Sequence, residues 1–215
     1  MFKKISVAKA RSGRKSVGVF AEDLERRNHR GIPQEIRNDF VRGISNPGFK
    51  AEVGETAFEG DLLLLGLGSR DHLDTAAARK AGAGLLRSLH RAEVDTIEFV
   101  VRGDCDDLPL GEIGRALAEG VALANWRLDG YDGVNARERT RLPRLRIGAQ
   151  RASVQDGLKD GLRLAEAVNL ARMVGETPPN ICHPAWIAKQ ARKLARDTPG
   201  LTCKVIDAKK AAELG

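Results

Sequence analysis

Residues 61–68, DLLLLGLG, form a continuous apolar run in the middle of a polar neighbourhood. A short run of this kind is typical of a strand that is buried on both faces of a sheet. The preceding residues 49–60, FKAEVGETAFEG, alternate between apolar and polar types and end in glycine. The pair therefore predicts a hairpin that leads into a buried central strand.

Strand-like and helix-like segments alternate on both sides of this hairpin. The predicted strands are 3–10, 16–23, 49–60, 61–68, 94–104 and 142–149, and the predicted helices are 33–44, 71–91 and 110–128. Residues 24–34, LERRNHRGIPQ, are polar and predict a loop. This order indicates a mixed sheet covered by helices, and hence an N-terminal α/β domain over residues 1–150.

A long helical pattern follows at residues 153–174. Ser153 is a favourable N-cap, and Asp156 three residues later gives a capping-box spacing. Gly157 and Gly161 fall on one face, where they would let another backbone approach closely. We interpret residues 151–176 as a helix that connects two domains.

Residues 177–215 predict a helix from Pro184, a strand at 201–207, LTCKVID, and a short helix capped by Asp207. A helix–strand–helix piece cannot enclose a core, because a lone strand has no partner. We therefore expect an incomplete start of a second α/β domain, in a chain that is truncated.

Composition places the chain among ordinary soluble proteins, with 42% hydrophobic and 30% charged residues. No apolar run approaches the roughly 18 to 20 residues that cross a bilayer, so no membrane association is expected. The three cysteines, Cys105, Cys182 and Cys203, have no paired spacing, and this favours a reducing compartment. We expect a cytoplasmic protein.

The net charge of +7 raises the possibility of a nucleic-acid partner. The densest basic stretch is RERTRLPRLR, which contains Arg137, Arg139, Arg141, Arg144 and Arg146. No aromatic residues interleave with these arginines, and no nucleic-acid-binding signature is present. The pattern favours a solvated or oligomer-facing basic edge over a nucleic-acid site.

Two strand exits carry residues that could support chemistry. GDCDDLP (103–109) places Asp104, Asp106 and Asp107 near one another, but it lacks the spacing of a calcium loop and favours a polar turn. GLGSRDH (66–72) resembles a phosphate-binding turn, but it lacks the third glycine and the lysine of the known fingerprints. A glycine-rich strand exit is the favoured interpretation.

The adjacent Cys182 and His183 suggest a nucleophile and its base. Neighbouring residues in an extended chain point to opposite sides, and His183 occupies a cap position before Pro184. The four histidines, His29, His72, His90 and His183, also lack zinc-site spacing. We therefore predict no catalytic, cofactor-binding or metal-binding residue in the chain.

Several long stretches resemble the leucine aminopeptidase (cytosol aminopeptidase) family. The most specific is NLARMVGETPPNICHPAWIAKQARKL (169–194), followed by VIDAKKAAELG (205–215). Residues 58–89 and 116–133 also resemble the glycine-containing strand and the following helix of that family's N-terminal domain. Glu176 and His183 depart from the family pattern within the turn, where the family usually has Asn and Thr.

The resemblance implies a macro-domain-like N-terminal domain, a connecting helix and the beginning of a catalytic domain. It also implies peptide substrates, a hexamer, and two divalent metal ions (zinc or manganese) that are bound by lysine and carboxylate side chains later in the family's chain. The family's Asn-Thr-Asp-Ala-Glu-Gly-Arg motif is absent from these 215 residues. We therefore expect the chain alone to be inactive, and residues 1–150 to serve assembly and access.

An alternative interpretation is a stand-alone basic α/β module that binds nucleic acid or an ADP-ribose-like ligand. Residues 164–215 discriminate between the two, because a binding module has no need of a hinge and part of a second sheet.

Overall fold

The computed structural model describes residues 1–8, 13–128 and 142–215. Within these ranges the chain forms six strands, seven α-helices and two short 3-10 turns. The strands are β1 (Ile5–Val7), β2 (Arg14–Phe20), β3 (Thr56–Glu59), β4 (Leu62–Gly68), β5 (Thr96–Val100) and β6 (Leu145–Ala149). The helices are α1 (Ala21–Arg26), α2 (Arg37–Ile44), α3 (Thr75–Arg91), α4 (Leu110–Ala124), α5 (Ala152–Glu176), α6 (Pro184–Asp197) and α7 (Ala208–Leu214).

The six strands form one sheet in the order β1-β6-β5-β2-β4-β3. Only β3 runs antiparallel to its neighbour, and its pairing with β4 extends from Thr56 opposite Leu65 to Glu59 opposite Leu62. Strand β4 lies between β3 and β2, and its residues from Leu62 to Leu65 are buried. The predicted hairpin and the buried strand are therefore confirmed.

The two faces of the sheet bury separate apolar clusters. Leu63 and Leu65 pack with leucines of α3 and α4, whereas Leu62 and Leu64 pack with Phe40 of α2. Successive strand residues point to opposite faces, so each strand contributes to both clusters. The result is the expected α/β/α sandwich with a mixed sheet.

Glycines bring the helices on one side of the sheet into backbone contact. Gly82 and Gly120 lie between α3 and α4, and Gly157 and Gly161 of α5 lie against α4. A Cβ at any of these four positions would stand 1.9 to 2.1 Å from a backbone oxygen of the facing helix. The close approach that the spacing of Gly157 and Gly161 predicts is therefore present.

Two predictions near helix starts are wrong. Residues 24–34 are not all loop, because α1 runs to Arg26, and Asp23 within it accepts a hydrogen bond from the Phe20 N–H at 2.9 Å. That side-chain acceptor at the first turn supports a helix too short to show apolar periodicity. Ser153 is not an N-cap, because α5 already begins at Ala152.

The chain divides into two compact units, Met1–Asn169 (the core unit) and Leu170–Gly215 (the C-terminal unit). In the C-terminal unit, His183 caps α6 by accepting from the Trp186 N–H, and Asp207 caps α7 by accepting from the Lys210 N–H, as predicted. The strand predicted at 201–207 is wrong. The described residues offer this exposed segment no neighbouring strand, so its backbone has no ladder to join.

Candidate functional site

The carboxyl ends of three parallel strands meet at one edge of the sheet. Strand β2 ends at Phe20, β4 ends at Gly68 and β5 ends at Val100. The chain places β4 on one side of β2 and then β5 on the other, so the strand order reverses at β2. In open α/β sheets this reversal point at the carboxyl edge is where ligands usually bind. It is therefore the first place to look for a functional site.

A buried ion pair lies at this edge. The Arg102 guanidinium, two residues beyond β5, donates from Nη1 to Asp23 Oδ2 of α1 and from Nη2 to Asp104 Oδ2 at 2.6 Å. The side chains of Arg102 and Asp23 are only 1% and 3% exposed. Burial opposes the charge of Arg102, but its hydrogen bond to Asp23 and the two carboxylate charges outweigh burial and raise its pKa. The guanidinium ties the exit of β5 to the exit of β2.

A second arginine joins the exit of β4 to the same cluster. The Arg70 guanidinium lies 4.3 Å from the centre of the Phe20 ring. It donates from Nη1 to the Asp104 backbone oxygen at 3.2 Å, and the same nitrogen is 3.7 Å from Asp107 Oδ1. The two stretches that the sequence singles out, 66–72 and 103–109, are thus brought together in space.

Glu22 occupies the backbone turn at the start of residues 69–72. Its Oε1 accepts from the Ser69 hydroxyl at 2.5 Å, and its carboxylate accepts from the Arg70 N–H at 3.2 Å. The hydrogen bond from Ser69 is the main reason why the pKa of Glu22 is lowered. The backbone donor that a phosphate would use is therefore already taken by a carboxylate of the protein itself.

The acidic side chains at this edge of the sheet form ion pairs with arginines. Asp23 and Asp104 face Arg102, while Asp106 pairs with Arg151, the residue before α5. A cation at Asp104 would have to displace a guanidinium. Within residues 1–8, 13–128 and 142–215, no group of three or more His, Cys, Asp or Glu side chains is placed to hold a metal ion. The paired side chains fasten the three strand ends together.

Two of the three cysteines, Cys105 and Cys182, have contacts within the fold. Burial, followed by the charge of Asp104, raises the pKa of the Cys105 thiol, which keeps it protonated near neutral pH. The Cys182 thiol donates to the Val174 oxygen at 3.6 Å, whereas His183 Nδ1 accepts from the Trp186 N–H. Cys182 and His183 therefore engage different partners.

The basic run is only partly within the described residues. Arg137, Arg139 and Arg141 lie outside them. Arg144 is exposed, and Arg146 is half-buried on β6, where its Nε donates to Thr96 Oγ1 at 3.2 Å. Arg146 is thus engaged within the sheet.

Sequence reasoning missed Asp23 and Arg102, the two most buried charges of the cluster. Asp23 lies at the end of a predicted strand and Arg102 within another. The signal that the sequence offered was that each of these two ionisable residues stands directly beside an apolar strand. Since 79 residues separate them, local patterns could not pair them.

A family profile and sequence relatives of this chain agree on one family. Residues 17–132 match the sequence profile of the Cytosol aminopeptidase family, N-terminal domain. A probable cytosol aminopeptidase of Aquifex aeolicus is 30% identical over 94% of this chain and 41% of its own length. A cytosol aminopeptidase of Pseudomonas aeruginosa is 32% identical over 64% of this chain and 30% of its own length.

Solved structures share the fold at lower identity. A tomato leucine aminopeptidase mutant superposes with a TM-score of 0.74 at 16% identity, over 98% of this chain and 46% of that one. The bottromycin maturation enzyme BotP in complex with Mn superposes with a TM-score of 0.67 at 24% identity, over 94% and 40%.

This chain spans less than half the length of these relatives. The family profile nevertheless matches more than half of the residues of this chain, from within β2 to beyond α4. The chain therefore belongs to the cytosol aminopeptidase family, and its residues 17–132 correspond to that family's N-terminal domain.

Proposed function

We propose that this chain is the N-terminal portion of a two-metal leucyl aminopeptidase, an enzyme that releases N-terminal amino acids from peptides. The supporting observation is the profile match over residues 17–132, together with similarity that runs along 94% of this chain in a relative more than twice as long. Residues 1–150 form the N-terminal domain of the parent enzyme, 151–176 connect it, and 177–215 begin the catalytic domain.

Hydrolysis belongs to the remainder of the parent enzyme in this proposal. The carboxylates at the carboxyl edge of the sheet are held by arginines, and the Cys182 and His183 side chains do not meet. Two divalent ions, zinc or manganese, would be bound by residues of the catalytic domain. When bound there, they supply an activated water and polarise the peptide carbonyl.

The role of residues 1–150 in the proposal is assembly and access. The fastened strand ends and the glycine-packed helices are suited to positioning neighbouring subunits around a catalytic core. We propose further that the parent enzyme is a hexamer. The names of the relatives, cytosol aminopeptidases, support a cytoplasmic location. No described helix is both long and apolar enough to cross a membrane.

The direct test compares two proteins: the 215-residue chain and the complete product of its reading frame. Each is dialysed, supplied with Mn²⁺ or Zn²⁺, and assayed with leucine amide. We expect metal-dependent turnover by the complete product and none by the 215-residue chain. Turnover by the 215-residue chain, stoichiometric metal retained by it, or a reading frame that stops at Gly215 would each refute the proposal.

A further inference from the structure

A cavity lies within the core unit, between the sheet and helices α4 and α5. Its volume is about 70 Å³, and its walls are almost wholly apolar. The apolar lining includes Leu65, Leu67, Phe99, Ile113, Leu117 and Val154. The proposed aminopeptidase function makes no use of this space.

Ser16 is one of the few polar residues in the wall. It lies on β2, it is 1% exposed, and its Oγ has no hydrogen-bond partner among the described residues. Gly18 and Phe20 share its face of the strand and also line the cavity, whereas Val17 and Val19 pack on the opposite side of the sheet. The unpaired hydroxyl therefore faces the cavity.

An unpaired hydroxyl in an apolar cavity is unfavourable, because it loses its water without gaining another partner. An apolar side chain at this strand position would avoid that cost and would fill part of the space. An occupant with one oxygen atom would pair with Ser16, while its carbon atoms covered the leucine and phenylalanine wall.

The position of the cavity supports a ligand site independently. Its lining reaches Leu73 and Leu108, which follow the ends of β4 and β5, so it opens toward the carboxyl edge where the strand order reverses. Gly18 contributes to the shape, because a Cβ there would stand 2.5 Å from Leu67 Cδ1.

Size and charge define the occupant. The volume is roughly half that of an engineered apolar cavity of about 150 Å³ in another protein that holds benzene. An ion is disfavoured, because the charge of Arg102, the one charged residue of the lining, is already balanced by Asp23 and Asp104. The buried Arg102 Nε has no hydrogen-bond partner among the described residues and could donate to an oxygen of a neutral occupant. The fit is to a neutral molecule of a few carbon atoms.

We propose that this cavity is a binding site for a small, neutral aliphatic molecule of about two carbon atoms with a single hydroxyl or carbonyl oxygen, which hydrogen-bonds to Ser16 Oγ. The site belongs to the N-terminal domain and is separate from peptide hydrolysis.

The probe is ethanol, added to the ¹⁵N-labelled 215-residue chain while amide chemical shifts are recorded. We expect saturable shifts that are confined to residues around the cavity, including Gly18 and Gly114. The anion acetate has the same carbon skeleton and should produce none at equal concentration. Absence of saturable shifts with the alcohol, or equal binding of the anion, overturns the proposal without any variant.

Two substitutions then test the hydrogen bond. Ser16→Ala should weaken binding of the alcohol about fivefold, as expected for the loss of one neutral hydrogen bond. Ser16→Val adds apolar volume and should abolish the saturable shifts while raising the melting temperature. Ser45→Ala, at an exposed serine whose Oγ donates to the Val41 oxygen, is the matched control and should leave binding unchanged. Undiminished affinity in Ser16→Ala, or binding retained by Ser16→Val, contradicts the assignment.

Discussion

The core unit and the C-terminal unit contain similar kinds of apolar side chain, but they differ in how far these side chains are buried. The core unit buries its leucines and phenylalanines in two clusters, one on each face of the sheet. Thr177 is the one buried residue of the C-terminal unit, all of which the structure describes. Six of its large apolar side chains are exposed by 41% to 66%; they are Ile187, Leu194, Leu201, Val205, Ile206 and Leu214.

The difference shows what an amphipathic pattern can and cannot establish. Helix α6 has a capped start and an apolar side, so its local sequence specifies a helix well. Burial requires a second surface, and most helical stability in proteins comes from such packing. Local order and tertiary stability are therefore separate properties in this chain.

The largest expected contrast is in amide hydrogen exchange. Exchange of backbone amides in 177–215 should be at least about a thousandfold faster than in residues 60–100, because α6 contains no fully buried residue. Exchange mass spectrometry with sedimentation analysis would measure both protection and association.

Self-association through the exposed apolar residues is the other expected behaviour. It would appear as protection of 177–215 that increases with protein concentration. A monomer in which 177–215 is as protected as 60–100 would break the comparison and show that this segment belongs to a finished domain.

Removing one partner of the buried ion pair should have the next largest effect. Asp23→Asn leaves the Arg102 guanidinium underpaired in an apolar setting, and we expect the free energy of unfolding to fall by about 3 to 5 kcal/mol. Urea denaturation followed by circular dichroism measures this loss.

The matched control is an exposed ion pair of the C-terminal unit. Glu213→Gln removes the partner of Lys210, whose Nζ lies 2.9 Å from Glu213 Oε2. This change should cost less than about 0.5 kcal/mol. Equal losses for Asp23→Asn and Glu213→Gln would refute the assigned role of burial.

Glycine-to-alanine substitutions should have opposite signs in the two units. A Cβ at Gly120 would stand 1.9 Å from the Arg79 oxygen, so Gly120→Ala should lower the free energy of unfolding by about 2 to 3 kcal/mol. Nothing lies within 4 Å of a Cβ at Gly175, and Gly175→Ala should stabilise its helix by about 0.5 to 1 kcal/mol.

Both glycines lie in helices, so helix propensity favours alanine at each, and opposite signs would reveal the steric clash at Gly120. Thermal melts of the two variants beside the parent chain provide the measurement. A stabilising Gly120→Ala would show that α3 and α4 are not in backbone contact.

The smallest expected effect is acid sensitivity at the carboxyl edge of the sheet. The pKa of Glu22 is lowered in the folded state from its ordinary 4.5, mainly by the Ser69 hydroxyl. Its contribution is therefore complete above the unfolded pKa and is lost as pH falls through the folded one. We expect Glu22→Gln to reduce stability by less than about 1 kcal/mol at pH 7.

The difference between the parent chain and Glu22→Gln should shrink as pH falls below 4.5. Urea titrations between pH 3 and pH 7 would record this convergence. A difference that grows on acidification would reverse the assigned sign.

The features that sequence predicted well are those with a local signature. The apolar run 61–68 became β4, and the periodic stretch before Arg91 became α3. Asp207 and His183 cap their helices as their positions suggested. Each of these features depends on contacts within a few residues of chain or on burial of a whole strand.

The features that sequence predicted poorly depend on distant partners. Residues 201–207 have strand-like composition, but a strand needs a neighbour. Helix α1 has six residues, too few to show periodicity. The cluster at the carboxyl edge joins Arg70 to Asp104 across 34 residues and Asp23 to Arg102 across 79, so only the strand order reveals it.

The glycine contacts among α3, α4 and α5 carry an evolutionary consequence. At Gly82, Gly120, Gly157 and Gly161 the obstacle to a larger side chain is a backbone oxygen, which every residue type possesses. No second substitution on the facing helix can remove that obstacle. A larger residue at one of these four sites therefore cannot be compensated by a change in a neighbouring side chain. We expect homologous chains to drift freely on the exposed faces of these helices while these four positions remain fixed, and a lineage that loses one of them must re-space two helices at once.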